Sequence, residues 1–304
     1  MHYLHIFNPS NDLALAANAP AYTPPKAIAE MERRMARFPE RWAREGDVVL
    51  TDWHTSYARL VSQAGHPLQP LPWGWSKSLL RRLLRLGVPA SLMPTAQEID
   101  TWRTLSSRRF AARYIRLLLP LLPSLPLGGA DMRFHEQTPG TPLPTPLICK
   151  PEFSSSGRGI RIGSPPTQGP FLADVFLEKI LDCALLFHVS TAHQVRFLGA
   201  SVFHTNARGA YLRQERLPQP QLRRLIEETS HFAPAQLDML INAHLSLLTQ
   251  TLVPHYRGFV GIDMLVAKDK YGHTLLHPCL EINLRMTMGI AWLLEEQAIA
   301  LPLE

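Results

Sequence analysis

Hydrophobic and polar positions alternate with two different periods along the chain. In the first 92 residues, short apolar runs at 2–7 and 48–51 predict buried strands. Apolar residues spaced by three and four predict helices at 27–38, 55–64 and 76–86. This alternation of strands and helices is typical of an α/β unit.

Two more helices are predicted directly after this unit. Thr95, with Glu98 three residues later, forms a capping box for the first, and the serine pair at 106–107 begins the second. Residues 120–146 are then rich in proline and glycine. They predict an irregular connector or a substrate-facing loop rather than a packed element.

Beyond the connector the chain becomes rich in predicted strands. These strands lie at 147–150, 159–163, 175–178, 184–190, 194–203, 258–267 and 274–283. Helices are predicted at 219–231, 234–252 and 288–297. A tight turn at 270–273 makes the last two strands an antiparallel hairpin. The expected fold class is α/β, or α+β in the wider sense.

Composition indicates a globular protein. The chain has 304 residues, of which 46% are apolar and 18% charged, and this is enough apolar material to bury a core. The apolar stretch at 115–127 is too short to span a membrane and contains prolines, and the first 21 residues lack a basic leader. Neither a transmembrane helix nor a signal peptide is predicted.

Charge and cysteine content indicate which kinds of partner and which cellular compartment to expect. The formal net charge is +6, but the basic residues are mostly scattered arginines, which are interpreted as solvated helix faces. Neither a nucleic-acid partner nor a membrane partner is therefore expected. The three cysteines, Cys149, Cys183 and Cys279, lie in apolar runs. An odd number of buried thiols favours a reducing compartment and predicts a cytoplasmic protein.

A lysine on a predicted strand comes directly before a loop of serines and glycines. Residues 148–160 read ICKPEFSSSGRGI, and strand alternation places Ile148 and Lys150 on one face. The isoleucine can lie under a purine while the ammonium reaches phosphate oxygens, and hydroxyl and N–H groups of the loop can cover the β and γ phosphates. The segment is not a P-loop, and an ordinary hairpin with a surface lysine is the alternative interpretation.

Carboxylate and amide side chains are spaced for metal binding near the end of the chain. Glu281 and Asn283 share one face of a strand, and hard oxygen ligands at this spacing suit Mg²⁺. Asp263 lies in the neighbouring apolar strand, where an unpaired carboxylate is costly, so a metal or a cationic partner is expected. A buried salt bridge between Asp263 and Arg285 is the alternative.

Four motifs taken together resemble the ATP-grasp superfamily. They are K-P-x-x-S-S-S-G-R-G, F-L-E-K, G-x-D-M and E-x-N-x-R, in this order, over about 135 residues. The resemblance implies an ATP-grasp fold, with a leading α/β domain at 1–105 and two α+β subdomains at 106–180 and 181–304. These subdomains would grip ATP between antiparallel sheets.

The same resemblance implies roles for individual residues. Lys150 would bind phosphate and take part in catalysis, and Arg285 would stabilise charge in the transition state. Glu178 to Leu181 would meet the adenine edge, and Asp182 the ribose hydroxyls. The ATP-binding residues would be Ile148, Lys150, Ser154, Ser155, Ser156, Gly157, Gly159, Glu178, Lys179, Leu181, Asp182 and Arg109. The ligands of one or two Mg²⁺ ions, or of Mn²⁺, would be Asp263, Glu281 and Asn283.

The resemblance to the ATP-grasp superfamily also implies a second phosphate-binding lysine on the helix before the connector. This chain has Arg108 and Arg109 there instead. Which of the two takes that place stays open. The implied reaction is ADP-forming ligation, in which a small carboxylate becomes an acylphosphate and is then attacked by an amine or another nucleophile. An ATP-grasp kinase and a catalytically silent nucleotide-binding protein are the alternatives. The sequence is also compatible with a homo-oligomer.

Overall fold

A computed structural model of the chain describes residues 1–137, 143, 146–154, 157–206 and 209–301. Contacts divide the chain into two compact units, and each is described by itself. The first comprises Met1–Arg103 and Arg285–Leu303, and the second comprises Thr104–Leu284. The predicted domain boundaries at 105/106 and 180/181 follow from the resemblance to the ATP-grasp superfamily and not from contacts within the folded chain. They stay a prediction.

The first unit is built on a parallel sheet of three strands in the order β2-β1-β3. These strands are β1 (His2–Ile6), β2 (Val48–Val49) and β3 (Leu68–Pro72). The sequence pattern predicted β1 and β2 but missed β3, which contains Pro70 and Pro72. Proline lacks the N–H that a central strand donates, but it is compatible with an edge strand such as β3.

Helices α1 to α5 follow these strands or lie between them. They are α1 (Asn11–Ala17), α2 (Lys26–Arg34), α3 (Tyr57–Ala64), α4 (Lys77–Arg85) and α5 (Ala96–Leu105). Ser56 and Ser76 cap α3 and α4 by accepting backbone N–H groups. The core contains Leu4, Leu68 and Leu83, which are fully buried. Helix α1 was not predicted, because it begins within the run Asn8-Pro9-Ser10-Asn11-Asp12, whose composition is typical of a turn.

The second unit begins with α6 (Arg108–Leu118) and a four-stranded antiparallel sheet. In the order β4-β7-β5-β6, its strands are Arg133–His135, Phe171–Val175, Leu147–Pro151 and Arg161–Ile162. Two predictions were wrong here. The connector at 120–146 contains β4. The strand predicted at 175–178 is instead the end of β7 at Val175 and the start of β8 at Glu178, with residues 176–177 between them.

A five-stranded antiparallel sheet completes this unit, in the order β10-β9-β8-β11-β12. In that order, the strands are Tyr211–Gln214, Val195–Thr205, Glu178–Val189, Gly258–Lys268 and Thr274–Asn283. The remaining helices are α7 (Gln219–Ser230) and α8 (Pro234–Thr251), and in the first unit α9 (Met288–Glu295). The predicted hairpin of the last two strands and the expected fold class are confirmed. Nowhere in the described ranges is a helix both long and apolar enough to cross a membrane.

Candidate active site

Lys150 lies on β5 and is half-buried. Its side chain makes no hydrogen bond or ion pair with any residue that the structure describes. Burial lowers the pKa of Lys150, and so does the positive charge of Arg108, whereas Glu281, Asp174 and Asp263 act in the opposite direction. The ammonium therefore lies within electrostatic range of the acidic residues of β12 and β11. Its N–H groups make no hydrogen bond to any described residue and could donate to a ligand.

The acidic residues face one another across the hairpin of β11 and β12. Asp263 is the register partner of Glu281, and Gly261 is the partner of Asn283. Directly opposed residues of an antiparallel pair project on one face, and two carboxylates in this position repel each other. The Nδ2 group of Asn283 donates to Oδ2 of Asp263 at 3.1 Å.

A divalent cation would relieve the repulsion between Asp263 and Glu281. Two carboxylates and an amide oxygen are also the hard ligands that Mg²⁺ prefers. The residues present therefore fit a Mg²⁺ site, and their role as its ligands stays a prediction. Among the described residues, no group of three or more His, Cys, Asp and Glu side chains is arranged to bind a metal. A site here would need Asn283 as its third ligand.

Arg108 lies at the start of α6 and connects the end of β5 with the acidic hairpin of β11 and β12. Its side chain is only 5% exposed, and its Nη2 donates to Oε2 of Glu281 at 3.0 Å. Nη1 donates to the carbonyl of Pro151 at 2.7 Å and to Oγ of Ser154 at 2.8 Å. The sequence left open which of the two arginines replaces the lysine and named Arg109 as the ATP contact, whereas the structure brings Arg108 to the acidic hairpin.

Arg109 points elsewhere. Its guanidinium forms an ion pair with Glu136, lies 3.6 Å from Oε1 of Glu152 and stacks on the ring of Phe134 at 4.6 Å. Its side chain is 49% exposed. An ATP contact of Arg109 stays a prediction, and it would require the guanidinium to exchange these partners.

The Ser/Gly loop begins where β5 ends. Ser154 is buried, whereas Ser155 and Ser156 lie outside the described residues. Gly157 and Gly159 have φ angles of 72° and 75°, a conformation that other residues rarely adopt. A Cβ atom on Gly159 would lie 2.7 Å from Cγ of Pro151. The backbone of the loop therefore favours glycine at both positions, and contact of the loop with phosphate stays a prediction.

The predicted adenine and ribose residues lie at the start of β8. Glu178 and Lys179 are exposed, and Leu181 and Asp182 are half-buried. Oδ2 of Asp182 accepts hydrogen bonds from Nζ of Lys179 at 2.8 Å and from Oγ1 of Thr205 at 2.7 Å. Because Ala184 pairs with Asp263, Asp182 lies on the same sheet face as the acidic pair. Its contact with ribose stays a prediction.

A buried pair that the sequence did not indicate joins the two sheets of this unit. His277 on β12 and Asp174 on β7 are both buried, and Nε2 of the histidine lies 2.8 Å from Oδ2 of the aspartate. Gly129, with φ of 90°, packs so closely that a Cβ atom would lie 2.8 Å from Nε2 of His277. The two members are 103 residues apart, so no local pattern could connect them.

Arg285 has its ion pair within the first unit. Its Nε and Nη2 donate to the two carboxylate oxygens of Asp12 at 2.7 and 2.8 Å. This is a bidentate pair, the strong geometry for arginine and carboxylate. The salt bridge that the structure shows for Arg285 is therefore with Asp12, and its catalytic role stays a prediction.

No family model matches the chain, and neither does any curated protein. Solved structures do resemble it. A biotin carboxylase from Campylobacter jejuni in complex with β-γ-ATP is 14% identical, over 81% of this chain and 57% of that one, with a TM-score of 0.46. A putative ATP-grasp superfamily protein from Archaeoglobus fulgidus is 11% identical, over 98% and 88% of the two chains, with a TM-score of 0.47. An L-amino acid ligase from Bacillus licheniformis is 13% identical, over 80% and 56%, with a TM-score of 0.38.

These structures are members of the ATP-grasp superfamily. It is the superfamily that the four sequence motifs resemble. The chain spans little more than half the length of the biotin carboxylase and of the amino acid ligase. With identities of 11–14% and TM-scores below 0.5, the likeness carries no argument for activity or substrate. The function proposed below therefore depends on the residues of this chain.

Proposed function

We propose that the protein is an ATP- and Mg²⁺-dependent, ADP-forming ligase that joins a small carboxylate to an amine or another nucleophile. The observation that supports this most is the position of Lys150. Its half-buried ammonium, without a partner among the described residues, lies in the field of Glu281 and Asp263. A cation and hard anionic ligands held together in this way suit a triphosphate and its metal.

Lys150 would bind phosphate oxygens of ATP through charge-assisted hydrogen bonds. Ile148 lies on the same face of β5, where it can contact the purine. The backbone N–H groups next to Gly157 and Gly159 can approach the phosphates closely, because neither residue carries a Cβ atom. These parts share β5 and the loop that follows it, so one short segment would hold both ends of the nucleotide.

Asp263, Glu281 and Asn283 would hold Mg²⁺, with Mn²⁺ as a substitute. When bound, the cation would neutralise charge on the transferred phosphoryl group and on ADP. The role of this chain's own residues is to fix the ligands. The register of β11 and β12 places Asp263 opposite Glu281, and Asn283 orients Asp263 through its hydrogen bond.

The proposed chemistry has two steps. A carboxylate oxygen of the substrate forms a bond to the γ-phosphorus while the bond to the β,γ-bridging oxygen breaks, giving an acylphosphate and ADP. The amine then attacks the acyl carbon, phosphate leaves, and the amine loses a proton. Lys150 would stabilise negative charge on the phosphoryl oxygens, and catalysis would depend mainly on positioning and electrostatics.

An ADP-release screen over amino acids, peptides and small carboxylates, with hydroxylamine present, tests this proposal. A ligase should release ADP and phosphate and form a hydroxamate with the correct carboxylate. Lys150→Met should abolish all three products. Formation of AMP and pyrophosphate would contradict the proposal, and so would a stable phosphorylated product, which indicates a kinase.

A further inference from the structure

Arg108 contacts both halves of the proposed site with one guanidinium. Nη1 is hydrogen-bonded to Pro151 and Ser154, where β5 passes into the Ser/Gly loop. Nη2 is hydrogen-bonded to Glu281, a proposed metal ligand on β12. The same side chain therefore holds the nucleotide loop and the metal carboxylate.

The start of α6 fixes this position. The hydroxyl of Ser107 caps the helix by accepting the N–H of Phe110 at 3.2 Å. The backbone N–H of Arg108 itself donates to the carbonyl of Glu152 at 3.3 Å. Backbone and side chain of Arg108 thus both contact the segment that begins the loop, and the guanidinium has little room to move independently of it.

The guanidinium is planar, and its donors form a rigid fork, so a shift of one partner is passed to the other. The group is also buried, where charges interact more strongly than in water. A divalent cation at Glu281 would compete with Nη2 for the same carboxylate and would repel the guanidinium. Cation binding and the hydrogen bond to Ser154 therefore cannot be independent.

Building on the proposed function, we propose that Arg108 is a positioning residue that couples the Ser/Gly loop to the metal carboxylate. Without a cation, Arg108 holds Glu281 and anchors the loop through Ser154. A cation at Glu281 displaces Nη2 from the carboxylate and thereby changes the hydrogen bond from Nη1 to Ser154. Because binding linkage is reciprocal, the anchoring of the loop in turn changes the affinity for the cation.

Mn²⁺ binding to the nucleotide-free protein, measured by electron paramagnetic resonance, tests this directly. Arg108→Met removes the competing donor and the repelling charge, so the Mn²⁺ affinity should rise by at least about threefold. Arg113→Met removes the same charge from an exposed position on the same helix and should leave the affinity unchanged. A purely structural role of Arg108 would instead lower the affinity through loss of the site.

A double-mutant cycle keeps the proposal testable even if Arg108→Met does not fold. Ser154→Ala removes an acceptor of Nη1 but no proposed metal ligand, and it lets the guanidinium settle on Glu281. It should weaken Mn²⁺ binding by about threefold. In an Arg108→Lys background, which keeps the charge but not the fork, the same change should have no effect. Ser230→Ala, which removes a buried hydroxyl on α7, is the matched control.

The possible results separate this inference from the proposed function. Equal effects of Ser154→Ala in both backgrounds would overturn the coupling, provided that Glu281→Gln still abolishes Mn²⁺ binding. The metal site would then stand without Arg108 as its link to the loop. If Mn²⁺ binding does not depend on Glu281, the metal site and the coupling are both overturned.

Discussion

At the scale of single residues, the most informative side chain is Lys150. Replacing it by methionine keeps the length of the side chain and removes the charge that is proposed to bind phosphate. ATP affinity should fall by about 2–3 kcal/mol, the typical loss of a charge-assisted hydrogen bond at a partly buried site. Isothermal titration calorimetry measures this change. Lys270→Met, in an exposed turn, is the control, and an unchanged affinity of folded Lys150→Met would contradict the assignment.

Glu281 carries a second prediction at this scale. Glu281→Gln keeps the shape of the side chain and its hydrogen-bond acceptor for Arg108, but removes one of two opposed charges on the β11 and β12 hairpin. Turnover should disappear, because a proposed metal ligand is lost. The thermal unfolding temperature should stay nearly constant, because the repulsion from Asp263 and the ion pair with Arg108 are lost together. ADP release and calorimetry of the same sample test both parts. Full activity in this variant would rule out the metal assignment.

At the scale of elements, the Ser/Gly loop offers a proteolytic test. Arg158 is exposed and lies between Gly157 and Gly159, whose backbone conformations an extended protease substrate must abandon. Trypsin should cleave after Arg158 in the free protein, and saturating Mg²⁺ with a non-hydrolysable ATP analogue should slow this cleavage by at least about tenfold.

Ligand binding also protects a protein by general stabilisation, so cleavage after an exposed arginine outside the loop must be followed. Arg216, which is exposed and lies between β10 and α7, serves this purpose. Protection confined to Arg158 would support closure of the loop over the phosphates. Equal rates at Arg158 with and without nucleotide would contradict it.

The secondary-structure elements of the site also show which of its features could be predicted from the sequence. Strand alternation was sufficient to place Glu281 and Asn283 on one face, and the tight turn at 270–273 was sufficient to predict that their strand pairs with the strand of Asp263. The register that sets Asp263 opposite Glu281 came from the structure. Pairing of His277 with Asp174 could not be predicted, since it connects different sheets. Two adjacent arginines at the start of α6 gave no local signal for which side chain turns inward. That choice depends on packing against β5 and β12, which only the tertiary structure provides.

At the scale of the whole molecule, buried histidines determine how acid acts on stability. Burial lowers the pKa of His5 in the first unit, and in the second it lowers the pKa of His188 to about 4 and of His244 to about 3. The ordinary value is 6.5, so the unfolded chain binds protons at a pH where the folded chain does not. The stability contributed by these neutral histidines is thus complete above pH 6.5 and is lost as pH falls towards the folded values.

We therefore expect the free energy of unfolding to decrease as pH falls from about 6.5 towards 4, by about 1.4 kcal/mol per pH unit for each of His188 and His244. His244 allows a selective test, because it is fully buried and its Nδ1 lies 2.9 Å from the hydroxyl of Tyr114. His244→Gln should lower stability at pH 7.5, since it disturbs this contact, yet make the dependence on pH shallower by one proton. His54→Gln, at an exposed position, should change neither quantity. Urea denaturation at several pH values measures both, and an unchanged pH dependence in His244→Gln would show that this histidine is not neutral in the folded protein.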